Sequence, residues 1–253
     1  MKKNPDIKYI KIDFNNNKHI SILTKFYNEL YIKEFTNEDE AESLENIINQ
    51  QKSMIESNKN NYHCIIAISE NEKENDIIGG IIGDYFGECN SGVIEYIVVS
   101  PNKRKMNIGS SLISILFDYF NEDAKISSNN IFNSFDFCFF ECENPNKVNL
   151  DIKDLCLSRC HFWDKNNGYK LNFNYYQKSL DENKNPVDCL DLCVIIINKK
   201  LIIDNGINKL IILKFLENYF GYAFNNKIND NLELIKMKKD LENIDKVLLC
   251  KMI

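Results

Sequence analysis

Arg104, Lys105, Asn107, Ile108, Gly109 and Ser110 follow the apolar run Ile97, Val98, Val99 almost directly, and a helical pattern begins among them. A helix N-terminus leaves about four backbone N–H groups without intrahelical partners and carries the positive end of the helix dipole, a setting suited to phosphate. Gly109 allows a close approach to the backbone, and asparagine, as at 107, is among the few residues besides glycine that accept a left-handed conformation. The stretch asks for a polyphosphate ligand. Neither G-x-x-x-x-G-K-[ST] nor G-x-G-x-x-G occurs, so nucleotide hydrolysis and hydride transfer lose support.

Carboxylates lie on the neighbouring runs. Glu95 has the strand parity of Ile97 and Val99, and Glu141 and Glu143 share one face near the end of a later strand. Such groups can take a proton from an ammonium, directly or through water, or simply bind it. A solvated charge is the plain alternative, most of all for Glu143. Tyr169, Tyr175 and Tyr176 are phenols that can supply a proton, although a strand tyrosine more often packs. His19, His63 and His161 are scattered along the chain, and only His161 merits a test.

Nine cysteines sit mostly in hydrophobic runs, where a thiol behaves as a small apolar side chain. They read as reduced, which predicts an intracellular, cytoplasmic protein. The spacing C-x-x-x-C recurs at Cys138/Cys142, Cys156/Cys160 and Cys189/Cys193. Two of these pairs fall in predicted strands rather than in the paired turns of a zinc site, so no metal is expected.

These residues need a scaffold. The chain of 253 residues suits one α/β domain with additions. A net charge of -6 lacks the broad cationic face of a nucleic-acid binder and is compatible with a cationic small substrate. No apolar run is long enough to cross a bilayer, and the N-terminus lacks the apolar stretch of a secretory signal, so no membrane association is expected.

Periodicity predicts a strand at 7–13, a helix from 19 to about 35, and a second helix from Asp39 to Glu56 with Asn37 and Glu40 as its capping box. Three β-rich runs follow at 62–69, 76–87 and 92–100, then the helix after Ile108, a long strand at 131–143 and a helix at 150–166. Short links predict a meander for the three runs, and strand, crossover helix and strand in sequence predict a parallel pair. Two strands at 169–177 and 189–197 complete the core, and from about 205 the pattern is helical.

The stretch "VVSPNKRKMNIGSSLI" resembles the acyl-CoA-binding motif of the GNAT superfamily of N-acetyltransferases, in which a strand ending V-x-P is followed by R/Q-x-x-G-x-G/A opening a helix. Arg104, Asn107 and Gly109 hold the three marked positions, with Asn107 a departure from glycine. The order of elements is also similar, and "CHFWDKNNGYK" is similar to the family's later F-Y-x-x-x-G-F segment at Phe162, Trp163, Gly168 and Tyr169. The likeness covers roughly residues 7–200.

It implies an α/β (α+β) fold with a mixed, mostly antiparallel sheet flanked by helices, as a GNAT-like domain over 1–204. A helical extension over 205–253 would pack on it. The family's sheet splays between its fourth and fifth strands and holds pantetheine there. Backbone groups of Ile97, Val98 and Val99 would pair with the pantetheine, and the N–H groups from Arg104 through Lys105, Asn107, Ile108 and Gly109 to Ser110 would hold the pyrophosphate. Trp163 would belong to the cofactor site.

The implied activity is acetyl transfer from acetyl-CoA to a primary amine on a small molecule or protein, with Glu95 or Glu141 as base and Tyr169 as acid. Trp163 replaces the family's usual acidic tyrosine, and an indole N–H has no acid function in this pH range. The alternative is therefore a catalytically impaired CoA-binding or protein-interaction module.

Overall fold

Apolar and polar residues alternate through Ile7 to Lys11, and this segment forms the first strand of a computed structural model that describes residues 6–55, 60–70, 75–177, 184–223 and 231–253. The chain divides into two compact units, Met1–Tyr85 with Ile94–Asn133, and Phe86–Val93 with Ser134–Ile253.

In the first unit the sheet order is β1 (Asp6–Lys11), β2 (Asn60–Glu70), β3 (Asn75–Phe86), β4 (Ser91–Val99). β1 and β2 are antiparallel, with Tyr9 opposite Ala67. The tip of the β3–β4 connection and residues 91–93 belong to the second unit. Helix α1 (Asn17–Phe26) starts where the Asn16 side chain accepts from the Lys18 N–H. It widens into a π turn at Tyr27–Tyr31 and ends in α2 (Ile32–Glu34). Gly80 makes room for this helix, since a Cβ there would lie 2.6 Å from the Phe26 ring.

The second helix starts later than its capping signal suggested. α3 spans Leu44–Ile55, and Ser43 Oγ accepts from the Asn46 N–H at its start. Asn37 and Glu40 do meet, Nδ2 to Oε1 at 2.9 Å, but they close a turn before the helix, because the Asn37 carboxamide oxygen also captures the Asp39 N–H. Glu56 lies outside the described residues. Helix α4 (Ile108–Ser127) buries Ile108, Leu112, Leu116, Phe120 and Ala124 along one stripe.

The second unit holds an antiparallel series, β5 (Phe137–Glu143), β7 (Leu190–Ile196), β6 (Gly168–Leu171), β10 (Lys246–Lys251), β9 (Gly206–Asn208) and β8 (Ile202–Ile203). Helix α5 (Lys153–Lys165) packs on β5 and β6, and α6 (Lys209–Ala223) lies against α7 (Leu232–Glu242). The mixed, mostly antiparallel sheet with flanking helices matches the expected class.

Three expectations change in detail. β5 begins at Phe137 rather than 131, because Asn129 and Asn130 turn left-handed and Asp136 is pinned by Asn90 and Asn198. β6 stops at Leu171 rather than running to 177, because the chain turns at Phe173 and sends Tyr175 inward. The segment after 204 is not helical alone: Asp204 and Asn205, both at positive φ, turn β8 into β9, and β10 pairs with β6, Leu249 opposite Leu171.

Candidate active site

The turn between β4 and α4 is built from hydrogen bonds that run out. Ser100 N–H donates to the Ile78 carbonyl at 2.9 Å, Lys103 N–H to Ser100 at 2.8 Å and Arg104 N–H to Pro101 at 3.3 Å. Lys105 then adopts φ 68° and Asn107 φ 64°, ψ 11°. Left-handed residues in such a turn point successive N–H groups into one concavity, which attracts anions. Among the described residues, the backbone N–H groups of Lys105 to Ser110 meet no acceptor. Asn107 takes the left-handed conformation that a glycine would take, so its departure from the motif keeps the backbone path.

Arg104 shapes this cradle from its edge. Its Nε donates to the Val99 carbonyl at 3.2 Å and its Nη2 to Glu34 at 2.5 Å, so its N–H and its guanidinium are both engaged within the unit. Glu34 offsets that charge, while Lys105 and Asn107 remain exposed. Val98 is buried, and a Cβ on Gly79 would lie 2.9 Å from its carbonyl oxygen, so β3 and β4 approach closely there. Ile97 and Val99 are half-buried, and Ile108 and Gly109 are buried on the first turn of α4.

Glu95, on the same strand, faces Asp84 of β3. Asp84 is fully buried, and neither of its oxygens meets an N–H or O–H from a donor side chain or the backbone. Two ionised carboxylates cannot share such a space. Burial first, then the charge of Glu95 and the hydrogen bond to it, push the Asp84 pKa well above the carboxylate range. Asp84 therefore favours its protonated form beside Glu95.

Beside them, the Tyr96 hydroxyl donates to the Glu40 carbonyl at 3.3 Å, and the Tyr31 hydroxyl accepts from the Glu42 N–H at 2.9 Å. The two rings meet edge to face at 5.1 Å. Burial, ahead of every other influence, raises both phenol pKa values, so both stay protonated.

In the second unit the Glu141 carboxylate accepts from the Tyr175 hydroxyl and, at 2.8 Å, from Gln177 Nε2. Burial, then the charge of Glu141, raises the Tyr175 pKa. Glu143 pairs with Arg159. Tyr169 of β6 is half-buried opposite Val194 and Lys251, and Trp163 of α5 is buried with its ring stacked 3.9 Å from Phe140. Tyr176 lies on the surface beneath Lys236, and His161 is exposed. His19 accepts from the Asp13 N–H, and His63 holds buried Asp123 at 2.6 Å.

Glu95 and the residues from Ile97 to Ser110 that the motif marks therefore belong to one unit, whereas Glu141, Tyr169 and Trp163 belong to the other. Sequence reasoning missed Asp84, Tyr31 and Tyr96. Asp84 had a signal: it is the sole charge in "IIGGIIGDYFG", where a strand acid has no solvent to face.

Residues 24–134 match the model of the Acetyltransferase (GNAT) family, a span that takes in Asp84, Glu95 and the whole cradle. Over this segment the chain is similar to the GNAT acetyltransferase family. Among solved structures it is similar to a GNAT-family acetyltransferase of Staphylococcus aureus Mu50, at 17% identity over 76% of this chain and 100% of that one, TM-score 0.48. It is also similar to the ribosomal-protein-S18-alanine N-acetyltransferase of Escherichia coli, at 10% identity over 79% and 98%, TM-score 0.46. Ard1 of Thermoplasma volcanium is similar at 11% identity over 76% and 99%, TM-score 0.48. No curated protein sequence matches the chain. No helix among the described residues is long and apolar enough to cross a membrane.

Proposed function

We propose that this protein is an acetyl-CoA-dependent N-acetyltransferase that acts on a primary amine. The observation that carries the reading is the row of acceptor-free N–H groups from Lys105 to Ser110 at the start of α4, inside the segment that matches the family. Acetyl-CoA supplies an activated thioester, and its pyrophosphate fits the charge and the donor set of that turn. Ile97, Val98 and Val99 lead into the turn and are the strand groups assigned to the pantetheine.

Glu95 is the base assigned to this site. An amine attacks a thioester only when neutral, so the ammonium proton must leave first. Burial and the neighbouring Glu95 favour the protonated form of Asp84, so the pair tends to carry its negative charge on Glu95. That single negative charge favours an ammonium beside it and receives its proton. Glu141 and Tyr169 are the other candidates for base and acid; Glu141 is committed to Tyr175 and Gln177, which favours Glu95.

Thermal unfolding with acetyl-CoA, CoA and ATP tests the cofactor half. At about 100 times its dissociation constant a ligand adds roughly 2.7 kcal/mol, which at roughly 2 to 4 °C per kcal/mol is a shift of several degrees. The expected outcome is a rise with both CoA compounds and none with ATP. Ser110→Asp should abolish that rise without unfolding the chain, because a carboxylate in the first turn of a helix suits the dipole while it occupies the anion site. An unchanged rise in this variant would remove the cradle from the reading.

A second reading keeps CoA binding without turnover. It is favoured by Trp163, which is packed in the core of the second unit where the family motif carries an acid. A thermal rise with acetyl-CoA, together with no acetyl transfer to any of a broad panel of amines, would select it.

A further inference from the structure

Four of the nine cysteines gather in the second unit, although none of the three C-x-x-x-C spacings accounts for the closest approach. Cys142 of β5 and Cys160 of α5 stand with their sulfurs 3.9 Å apart. Cys156, one turn before Cys160, donates its S–H to the Glu143 carbonyl at 3.1 Å, and Cys193 of β7 pairs with Phe140 in the sheet. No group of three His, Cys, Asp or Glu side chains among the described residues is placed to hold a metal ion.

Cys142, Cys160 and Cys193 line a cavity of about 310 Å³ whose wall also carries Lys153, Lys170 and Lys251. Glu143 and Asp191 face the same space, each already paired with a cation, Glu143 with Arg159 and Asp191 with Lys170 at 3.3 Å. A small neutral molecule can enter such a cavity, while the charges of Glu143 and Asp191 work against a thiolate at Cys160.

The sulfurs are not equivalent. Cys160 falls below the ordinary thiol value, to about 7, first through its hydrogen bond with Cys142, against the penalty of burial, and its sulfur also lies 3.8 Å from the Glu143 carbonyl. Cys142 is raised by that same hydrogen bond and then by burial. Burial pushes Cys156 up to about 12, and Cys193 well above the usual range. The closest two sulfurs, those of Cys142 and Cys160, thus share a hydrogen bond and both open onto the cavity.

We propose that Cys160 and Cys142 form an oxidant-responsive thiol pair, in which a hydroperoxide that enters the cavity oxidises Cys160 and Cys142 then closes a disulfide onto it. In the first step the Cys160 thiolate attacks one peroxide oxygen. An S–O bond forms, the O–O bond breaks, and the departing oxygen takes a proton to leave as water or an alcohol. Sulfur loses two electrons to the peroxide. In the second step Cys142 gives up its proton and attacks the sulfur of the sulfenic acid; the S–S bond forms, the S–O bond breaks and water leaves. The sum is two thiols and one hydroperoxide to one disulfide and two molecules of water, or one of water and one of alcohol.

The bridge would tie α5 to β5 one residue from Glu141. It requires the sulfurs to close from 3.9 Å to about 2.05 Å.

The test is oxidation of the full chain with one equivalent of hydrogen peroxide, followed by alkylation of the remaining thiols and mass-spectrometric mapping without reduction. The expected result is two alkylation sites fewer than the nine of the reduced protein, with Cys142 and Cys160 peptides joined and thiols restored by dithiothreitol. Cys160→Ser should retain all the remaining thiols under the same treatment, and Cys156→Ser should leave the bridge intact. Oxidation that falls first on Cys89, Cys189 or Cys250, or a bridge from Cys160 to Cys156, would overturn the proposal. Mapping of the unaltered chain decides the matter even where a variant fails to fold.

Discussion

Each unit holds a half-buried glutamate beside a second titratable group, and the two arrangements differ in who supplies the hydrogens. Glu141 receives one hydrogen bond from a phenol and one from a carboxamide, so both of its oxygens are occupied by donors that keep their protons. Glu95 meets Asp84, another acceptor until it is protonated. The first is an interaction that fixes a loop; the second is a stored proton. A carboxylate that already accepts a hydrogen bond at each oxygen is held in its ionised form, whereas one leaning on a carboxylic acid can exchange protons within the pair.

The sharpest way to break this comparison is to replace both glutamates with glutamine. Glu95→Gln should lower acetyl transfer by about 10²- to 10⁴-fold, the usual contribution of a general base, with acetyl-CoA affinity nearly unchanged. The check is steady-state kinetics beside the thermal shift. Glu141→Gln should spare most of the turnover and reduce stability instead, because its new amide group meets donors where an acceptor stood. If the two variants exchange these outcomes, Glu141 is the base and Glu95 is not.

A smaller effect isolates the loop. Tyr175→Phe removes one of the two donors to Glu141 and leaves that oxygen in a buried setting, a loss of about 1 to 3 kcal/mol. Denaturant unfolding should show a lower midpoint with the slope unchanged. An unaltered midpoint would mean that the phenol contributes packing and not a hydrogen bond.

How far these sites were legible in the sequence follows from the range of the interactions. The left-handed Asn107 and the start of α4 are local, set by residues within a turn of each other, and the run from Val99 to Ser110 displayed them. The capping of α3 is local too, yet Asn37 and Glu40 copied the pattern of a helix start while serving as a turn, and Ser43 did the capping. Asp84 and Glu95 are a cross-strand pair, and no spacing along the chain reveals strand register. The approach of Cys142 to Cys160 needs α5 laid on β5, and the regular C-x-x-x-C spacing pointed to the wrong partners. β8 to β10 are short, but the turn "DNG" between Ile203 and Ile207 was a readable hairpin signal inside a stretch whose later helices dominate the pattern.

The smallest expected effect concerns the stored proton itself. Burial and Glu95 hold the Asp84 pKa well above the carboxylate range in the folded chain, whereas in the unfolded one it is a carboxylate above about pH 4. A folded pKa above the unfolded value means stability that is fully present below the unfolded pKa and lost as pH rises toward the folded one. Across that window the unfolded state holds fewer protons, and each pH unit costs at most about 1.4 kcal/mol. Asp84→Asn keeps a donor toward Glu95 but cannot ionise, so the loss should vanish. The melting temperature of the variant, compared with that of the parent at pH 5 and pH 6, should fall less over this step, and the variant should be the more stable of the two at the higher pH. Equal slopes would mean that Asp84 is ionised in the fold; the stored proton would then be absent, and Glu95 would have to work beside a second negative charge.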